Sequence, residues 1–151
     1  MSRNLKIEEA KNSDYPALAG LLKETNLPPD GIEPHLMNFL IIRYSEEGAA
    51  SESLVGSVGL EIYGKSALLR SLAVHPDFQR MGLGSRLVKQ IIDIAKRKGI
   101  TRLYLLTDTA EDYFKRKGFV YVTRDKIPSD MKQSVEFTTL CTSSPSMMKE
   151  I

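Results

Sequence analysis

A single α/β or α+β sheet sandwich is the fold class that this sequence predicts, and three observations carry it. Short β-rich runs are segregated by a few helical stretches, in the order strand, helices, three strands, helix, strand, helix and two strands. Two of the runs, Leu54–Tyr63 and Ser66–Val74, are separated only by Gly64-Lys65, which reads as a hairpin with its first turn residue at positive φ. The stretch from Ala67 to Gly99 then runs from an apolar strand through a Pro-marked turn and a glycine loop into an amphipathic helix.

The elements follow in order. Asn4–Ala10 alternates loosely and reads as a first strand. Asn12 and Ser13 are candidate N-caps for a helix with Pro16 in its first turn and Leu18, Leu21 and Leu22 on one face. That helix stops near Asn26, ahead of the breaker Pro28-Pro29-Asp30-Gly31, and Ile32–Asn38 reads as a short second helix. Phe39–Tyr44 is a continuous apolar run, hence a buried strand, and Ser45–Ser53 is a polar loop.

The central helix is expected over Gly82–Lys98. Leu83, Leu87, Ile91 and Ile94 form its stripe, Val88, Ile92 and Ala95 widen it, and Gly99 stops it. Arg102–Thr107 is a strand, Ala110–Lys117 a short helix closed by Gly118, and Phe119–Thr123 a strand. Pro128–Lys132 reads as a turn, Ser134–Leu140 as a last strand, and residues 142–151, which lack periodicity, as a mobile tail. No internal repeat or linker is visible, so residues 1–151 read as one domain.

A chain of 151 residues buries roughly 68–70% of its unfolded surface, so it needs no disulfide framework. A net charge of +2 without a Lys/Arg block gives no reason to expect nucleic acid as a partner. The single cysteine, Cys141, points to a reducing compartment, and the polar start MSRNLKIEEAKNSD lacks the apolar core of a secretory signal. No apolar run approaches the roughly 20 residues that span a bilayer. These features together predict a cytoplasmic protein that binds no membrane. The two histidines and one cysteine lie at unrelated positions, so no metal site is expected.

Glycines at the mouth of a helix that follows a strand suggest an anion site, because backbone N–H groups point outward and the helix dipole favours negative charge. Three ligands compete for Gln79–Ser85. A dinucleotide fingerprint fails because position 87, where its third glycine belongs, is Leu, and no acidic residue is placed for a ribose. A Walker loop fails because Gly84 is followed by Ser85 and Arg86, not Lys and Ser/Thr. A pyrophosphate cradle for an acyl-CoA is the third reading, against glycines that merely make a tight strand-to-helix turn.

Here Gln79-Arg80-Met81-Gly82-Leu83-Gly84 resembles the Q/R-x-x-G-x-G/A signature of the GNAT acetyltransferase superfamily. The likeness extends upstream through Leu72-Ala73-Val74 and Pro76, and downstream through the Arg102–Thr107 strand to the Gly118-Phe119 junction. It implies a mixed, mostly antiparallel central sheet of about seven strands flanked by helices and splayed between the fourth and fifth strands. It implies acetyl-CoA as cosubstrate. The backbone of Met81, Gly82, Leu83, Gly84 and Ser85 would hold its pyrophosphate, with Gln79 and Arg80 at the flanks. The main chain of Leu72, Ala73 and Val74 would bind the pantetheine arm. A finer likeness, carried by Ala67–Val74, Arg102–Thr107 and Val135–Cys141, is to a GNAT subgroup encoded in arsenic-resistance operons. Its relatives acetylate amino-acid analogues such as phosphinothricin and arsinothricin. Homodimerisation is a further expectation from the family alone.

The acceptor side is less determined. The family's thiolate-protonating Tyr corresponds to Phe114, one residue past Tyr113, and the common upstream Asn corresponds to Thr107. Tyr113 is the candidate general acid, against packing on the sheet or facing solvent. Glu61, a charge in an apolar strand, is the candidate base, against an ion pair with Arg70 or a solvent-facing position. In the hairpin register these two are diagonal neighbours on one face. Arg70 is a candidate clamp for a substrate carboxylate, and Ser71 and His35 are candidate substrate contacts. His75 reads as an exposed turn residue and Cys141 as a passive thiol, with a substrate or arsenic contact as its alternative. The expected activity is direct transfer of an acetyl group to the amine of a small amino-acid-like molecule. The alternatives are a protein or peptide N-acetyltransferase and a non-catalytic CoA-binding sensor.

Overall fold

In the computed structural model, residues 3–46, 51–140 and 143–151 are described. The strands are β1 (Arg3–Glu9), β2 (Phe39–Glu46), β3 (Ser53–Tyr63), β4 (Ser66–Val74), β5 (Arg102–Leu106), β6 (Val120–Tyr121) and β7 (Ser146–Glu150). The helices are α1 (Tyr15–Glu24), α2 (Leu83–Arg97) and α3 (Glu111–Arg116), with short 3-10 turns between elements. One seven-stranded sheet has the order β1-β2-β3-β4-β5-β7-β6. The described ladders β1–β2, β2–β3, β5–β7 and β6–β7 are antiparallel, and β4–β5 is parallel. This is the expected mixed, mostly antiparallel sheet. The β4–β5 ladder holds three pairs, from Ser66–Arg102 to Leu68–Tyr104. Past Leu68, β4 runs on to Val74 without β5, which is the expected splay.

Two compact units emerge from the packing: Met1–Leu60 with Ser71–Ile91, and Glu61–Arg70 with Ile92–Ile151. In the first unit, the α1 leucines Leu18, Leu21 and Leu22 pack with Ile32, Leu36, Phe39 and Ala73. The entry to α1 is fixed by charge. Asp14, rather than Asn12 or Ser13, stands at the N-cap. Its carboxylate accepts from the Lys11 N–H (2.8 Å) and from Arg43 Nη2 (2.7 Å), and Arg43 Nε also donates to Glu8. The helix closes at Asn26, whose positive φ and the Leu27 N–H to Leu22 carbonyl bond form an αL stop. Opposite Phe39 in the β2–β3 ladder sits Gly59, where a Cβ would lie 2.2 Å from the Phe39 ring. Glycine is required there by that ring, which is only 1% exposed.

The second unit has its own core of Leu68, Tyr104, Ile127, Met131 and Phe137. Two expectations fail here. Ser134–Leu140 is not a strand: Glu136–Leu140 is a π-helical turn. Phe137 N–H, Thr138 N–H and the Thr138 hydroxyl all donate to the Ser134 carbonyl, and the Ser134 hydroxyl accepts from Glu136 N–H. Such local Ser/Thr bonds compete with ladder pairing. The supposed mobile tail is instead a strand, because Ser146–Glu150 lies between β5 and β6 and pairs with both. Its sequence, SMMKE, shows no alternation because Ser146 and Met147 are both buried and Lys149 reaches along the structure to donate to the Lys117 carbonyl at 2.7 Å. Cys141 lies outside the described residues.

Three stability outcomes follow from the first unit. Gly59→Ala lowers the unfolding free energy in urea by roughly 1–3 kcal/mol through overpacking on Phe39. Gly20→Ala, mid-α1 with nothing within 4 Å of the added methyl, raises it by about 0.5–1 kcal/mol. Asp14→Asn costs roughly 1.5–3 kcal/mol at neutral pH. The Arg43 hydrogen bond holds the Asp14 carboxyl below its ordinary value of 3.8 despite burial. A depressed folded pKa stabilises above the unfolded pKa, and that contribution is lost as pH falls through the folded one. Urea titrations therefore show wild type and Asp14→Asn converging below pH 3.8.

Candidate functional site

The first unit contributes the glycine loop. After β4, His75 N–H donates to the Val55 carbonyl (2.8 Å) and the chain makes a 3-10 turn over Pro76–Phe78. His75 Nδ1 accepts from Asp77 N–H (3.1 Å) and its Nε2 lies 3.4 Å from Glu24. The histidine therefore serves the turn, as expected of it, and also lines an open cavity of about 400 Å³ with Leu21, Glu24, Tyr44 and Phe78. Gln79 Nε2 donates to the Val74 carbonyl (2.9 Å), which ties the end of β4 to the start of the loop.

Arg80 and Gly82 both take positive φ, at 67° and 76°. These two left-handed residues turn the chain into α2, whose ladder opens with Arg86 N–H donating to the Gly82 carbonyl. The backbone around Gly82 faces open space, with nothing within 4 Å of where a Cβ would stand. Gln79, Arg80 and Met81 are exposed, whereas Leu83 and Ala73 are buried in the core. The N-terminal turn of α2 thus presents backbone donors with its side-chain anchor, Leu83, turned inward.

Ser71 is the feature that the sequence hid. It sits within β4 at φ 61°, a left-handed conformation that costs a non-glycine residue of order 1–3 kcal/mol. The buried Ser57 hydroxyl donates to its carbonyl at 2.7 Å and holds it there. His35, half-buried, lies in the 3-10 turn Glu33–Asn38 with its N–H on the Ile32 carbonyl.

The second unit holds a buried ionic cluster of its own. Arg70 Nη1 donates to Glu61 Oε2 at 2.8 Å, with side-chain exposures of 1% and 2%. This removes the solvent-facing reading of Glu61. Burial pushes the Glu61 carboxyl up, but donation from the Tyr63 hydroxyl, Arg70 and Ser134 holds it below its ordinary value. Burial and the Glu61 charge push the Tyr63 phenol up in turn. A second carboxylate, Glu136 Oε1, lies 3.8 Å from Arg70 Nε. Tyr63, Ser134 and Glu136 were not singled out from the sequence. The signal that could have found them is the cost of a buried Glu–Arg pair, which demands further hydrogen-bond partners.

Tyr113 and Phe114 divide as a one-residue helical step requires. Phe114 is buried edge-on against Phe119 (5.4 Å). Tyr113 is half-buried, against the Phe114 ring and with Lys117 Nζ 5.5 Å from its ring centre. The Thr107 hydroxyl accepts from Ala110 N–H at 3.0 Å and shapes the entry to α3. Among the described residues, no group of three or more His, Cys, Asp or Glu side chains could hold a metal ion, and no helix is long and apolar enough to cross a membrane.

Comparison with known proteins places this geometry. The chain is 33% identical over 104 residues to an amino-acid acetyltransferase of Ralstonia nicotianae, covering 68% of this chain and 22% of that protein. It is 28% identical over 138 residues to the amino-acid acetyltransferase of Neisseria meningitidis, covering 84% of this chain and 30% of that protein. The chain therefore spans less than a third of the length of these relatives. Among solved structures, N-acetylglutamate synthase from Neisseria gonorrhoeae, complexed with coenzyme A and N-acetyl-glutamate, superposes with a TM-score of 0.79 at 25% identity. That match covers 99% of this chain and 36% of the synthase. A Mycobacterium tuberculosis protein solved in complex with CoA shares the fold at TM-score 0.75 and 18% identity, covering 97% of this chain and 99% of that one. The model of the Acetyltransferase (GNAT) family matches residues 6–119, three-quarters of the sequence from within β1 to just past α3, and the chain belongs to that family.

Proposed function

We propose that this protein is an acetyl-CoA-dependent N-acetyltransferase that moves the acetyl group directly to the amine of a small amino-acid-like acceptor. The observation that carries the reading is the Gln79–Ser85 loop: a left-handed Gly82 with open space around it, leading into the N-terminus of a 15-residue helix, in a chain of the GNAT family. Those residues fit the cosubstrate. The backbone of Met81, Gly82, Leu83, Gly84 and Ser85 would take the pyrophosphate, and Arg80 would add charge beside it. Leu72, Ala73 and Val74 continue β4 beyond its ladder with β5, which suits main-chain pairing with an extended arm. When bound, acetyl-CoA supplies the activated thioester.

The remaining work falls to the chain's own residues. An α-amino group with a pKa of about 7.7–8.0 is mostly protonated at neutral pH and must lose a proton before it attacks. Glu61 was the expected base. A carboxylate that accepts from three donors and titrates low is a poor proton acceptor, so we assign it to holding Arg70. Arg70 is the proposed clamp for the acceptor's carboxylate, with Ser71 and His35 as substrate contacts. Tyr113 is the remaining candidate acid. With Phe114 in the core, departure of the thiolate without a dedicated acid is its alternative. The named relatives support an amino acid as acceptor class. The likeness to the arsenic-resistance-operon subgroup extends that class to toxic phosphinic and arsinic analogues.

Thiol release from acetyl-CoA, measured against free amino acids, their phosphinic and arsinic analogues and a set of peptides, tests the reading. Turnover with a free amino acid or analogue is expected. Peptide-only turnover would reassign the acceptor, and CoA binding without turnover would make the chain a sensor. Gly82→Ala raises KM for acetyl-CoA about 5- to 30-fold, the effect of roughly 1–2 kcal/mol of left-handed strain, with acceptor KM unchanged. Arg70→Lys keeps the charge but loses the fork, so it raises KM for carboxylated acceptors more than for acetyl-CoA. An equal rise in both would remove the clamp.

A further inference from the structure

We propose that the open cavity between α1 and the turn after β4 is a binding site for a small organic cation with an apolar or aromatic body. None of the residues assigned above to cosubstrate or acceptor lines it, so the site stands whether or not the acetyltransferase reading does. The cavity measures about 400 Å³, a size that suits a small molecule, and every residue lining it belongs to the first unit.

The lining selects the ligand class. Leu21 from α1, with Leu54 and Val55 from β3, makes an apolar surface. Beside it stand two aromatic rings, Tyr44 and Phe78, with centroids 4.8 Å apart and planes at 59°. His75 meets Phe78 edge-on at 6.1 Å. Two carboxylates add negative charge. Glu24 ends α1 and Asp77 lies in the turn, with side chains 62% and 81% exposed. The His75 imidazole touches both sides: Nε2 is 3.4 Å from Glu24, and Nδ1 accepts from the Asp77 N–H. No lysine or arginine is among the described residues that line the cavity. A cation is attracted by the ring faces and by both carboxylates, whereas an anion meets like charge.

The wall supplied by α1 points the same way independently. Ala17, Gly20 and Glu24 line the cavity at helical spacing. A glycine in mid-helix costs about 0.5–1 kcal/mol relative to alanine. At Gly20 a Cβ would meet nothing within 4 Å, so packing within the chain does not demand a glycine there. A ligand body laid against the helix backbone does demand one. The stability gained by Gly20→Ala is then the cost of keeping that wall open.

Benzyltrimethylammonium is the probe for the test, because it carries no N–H and cannot be acetylated. Benzyl alcohol and phenylacetate are its uncharged and anionic counterparts. Each is titrated into the full chain and followed by the backbone amide resonances of Gly20, Glu24 and Asp77. The cation gives saturable shifts there, and the two counterparts bind at least about tenfold more weakly. Glu24→Gln and Asp77→Asn each weaken the cation about 2- to 5-fold and leave benzyl alcohol unchanged. Gly20→Leu fills the cavity and removes the shifts at Glu24 and Asp77, while its Tm stays at or above that of wild type. If Gly20→Leu does not fold, the two carboxylate variants carry the test. Equal affinity for the three probes, shifts that do not saturate, wild-type affinity in both carboxylate variants, or undiminished binding in a folded Gly20→Leu each overturns the site.

Discussion

The buried Arg70–Glu61 pair is the interaction on which the second unit depends. Taking two charges out of water costs several kcal/mol each, and their attraction repays it only when the remaining donors and acceptors are satisfied. That requirement explains the neighbours. The Tyr63 hydroxyl and Ser134 complete the donors around Glu61, and Ser134 in turn begins the turn that carries Glu136. Ser134, Glu136 and Phe137 thus tie the 131–140 segment to the hairpin by a polar contact on one side and the Leu68–Tyr104 core on the other. A pair of packed apolar side chains could serve stability as well as this ion pair does. Its presence is consistent with the proposed role of Arg70 as a clamp for a carboxylate.

β4 is where this chemistry meets the backbone. Arg70 ends the part of the strand that belongs to one compact unit and Ser71 begins the part that belongs to the other. The left-handed φ falls on Ser71, at that change. A strand of regular pleat would alternate its side chains without interruption. The turn at Ser71 breaks that alternation after Arg70 and before Leu72, so the residues proposed for acceptor and for cosubstrate follow separate geometric rules on one strand. Ser57, from β3, stabilises the break by a single hydrogen bond.

Much of this was legible in the sequence, and what was not has identifiable causes. The hairpin at Gly64-Lys65, the α2 stripe and its stop at Gly99 follow from local periodicity and turn chemistry, and the structure keeps them. The diagonal placement of Glu61 and Arg70 follows from the hairpin register, and they do meet. Ser134–Leu140 looked like a strand because its alternation is genuine, but its inward polar residue, Glu136, is drawn to Arg70 and its Ser and Thr bond locally. β7 was invisible because Met147 and Lys149 carry no period-two signal; its place between β5 and β6 is a tertiary fact. The left-handed Ser71 had no local signature at all, since serine is not the residue that such a conformation selects.

The two halves of the proposed reaction differ in what the chain offers them. On the cosubstrate side, the loop from Gln79 to Ser85 offers mainly backbone: one left-handed glycine, a helix N-terminus and one exposed arginine. In the proposed reading, recognition there would rest on backbone dipoles and the Arg80 charge. On the acceptor side, Arg70, Glu61, Tyr63 and Glu136 are all ionisable and are buried or half-buried. Phe114, where the resemblance places a thiolate-protonating tyrosine, packs edge-on against Phe119 and has no proton to give. If the leaving thiolate is stabilised without a dedicated acid, the proposed acceptor cluster is left with selectivity alone, since its donors hold the Glu61 carboxyl low. In that reading, the contacts that hold Arg70 are the ones that would bear on the choice of acceptor.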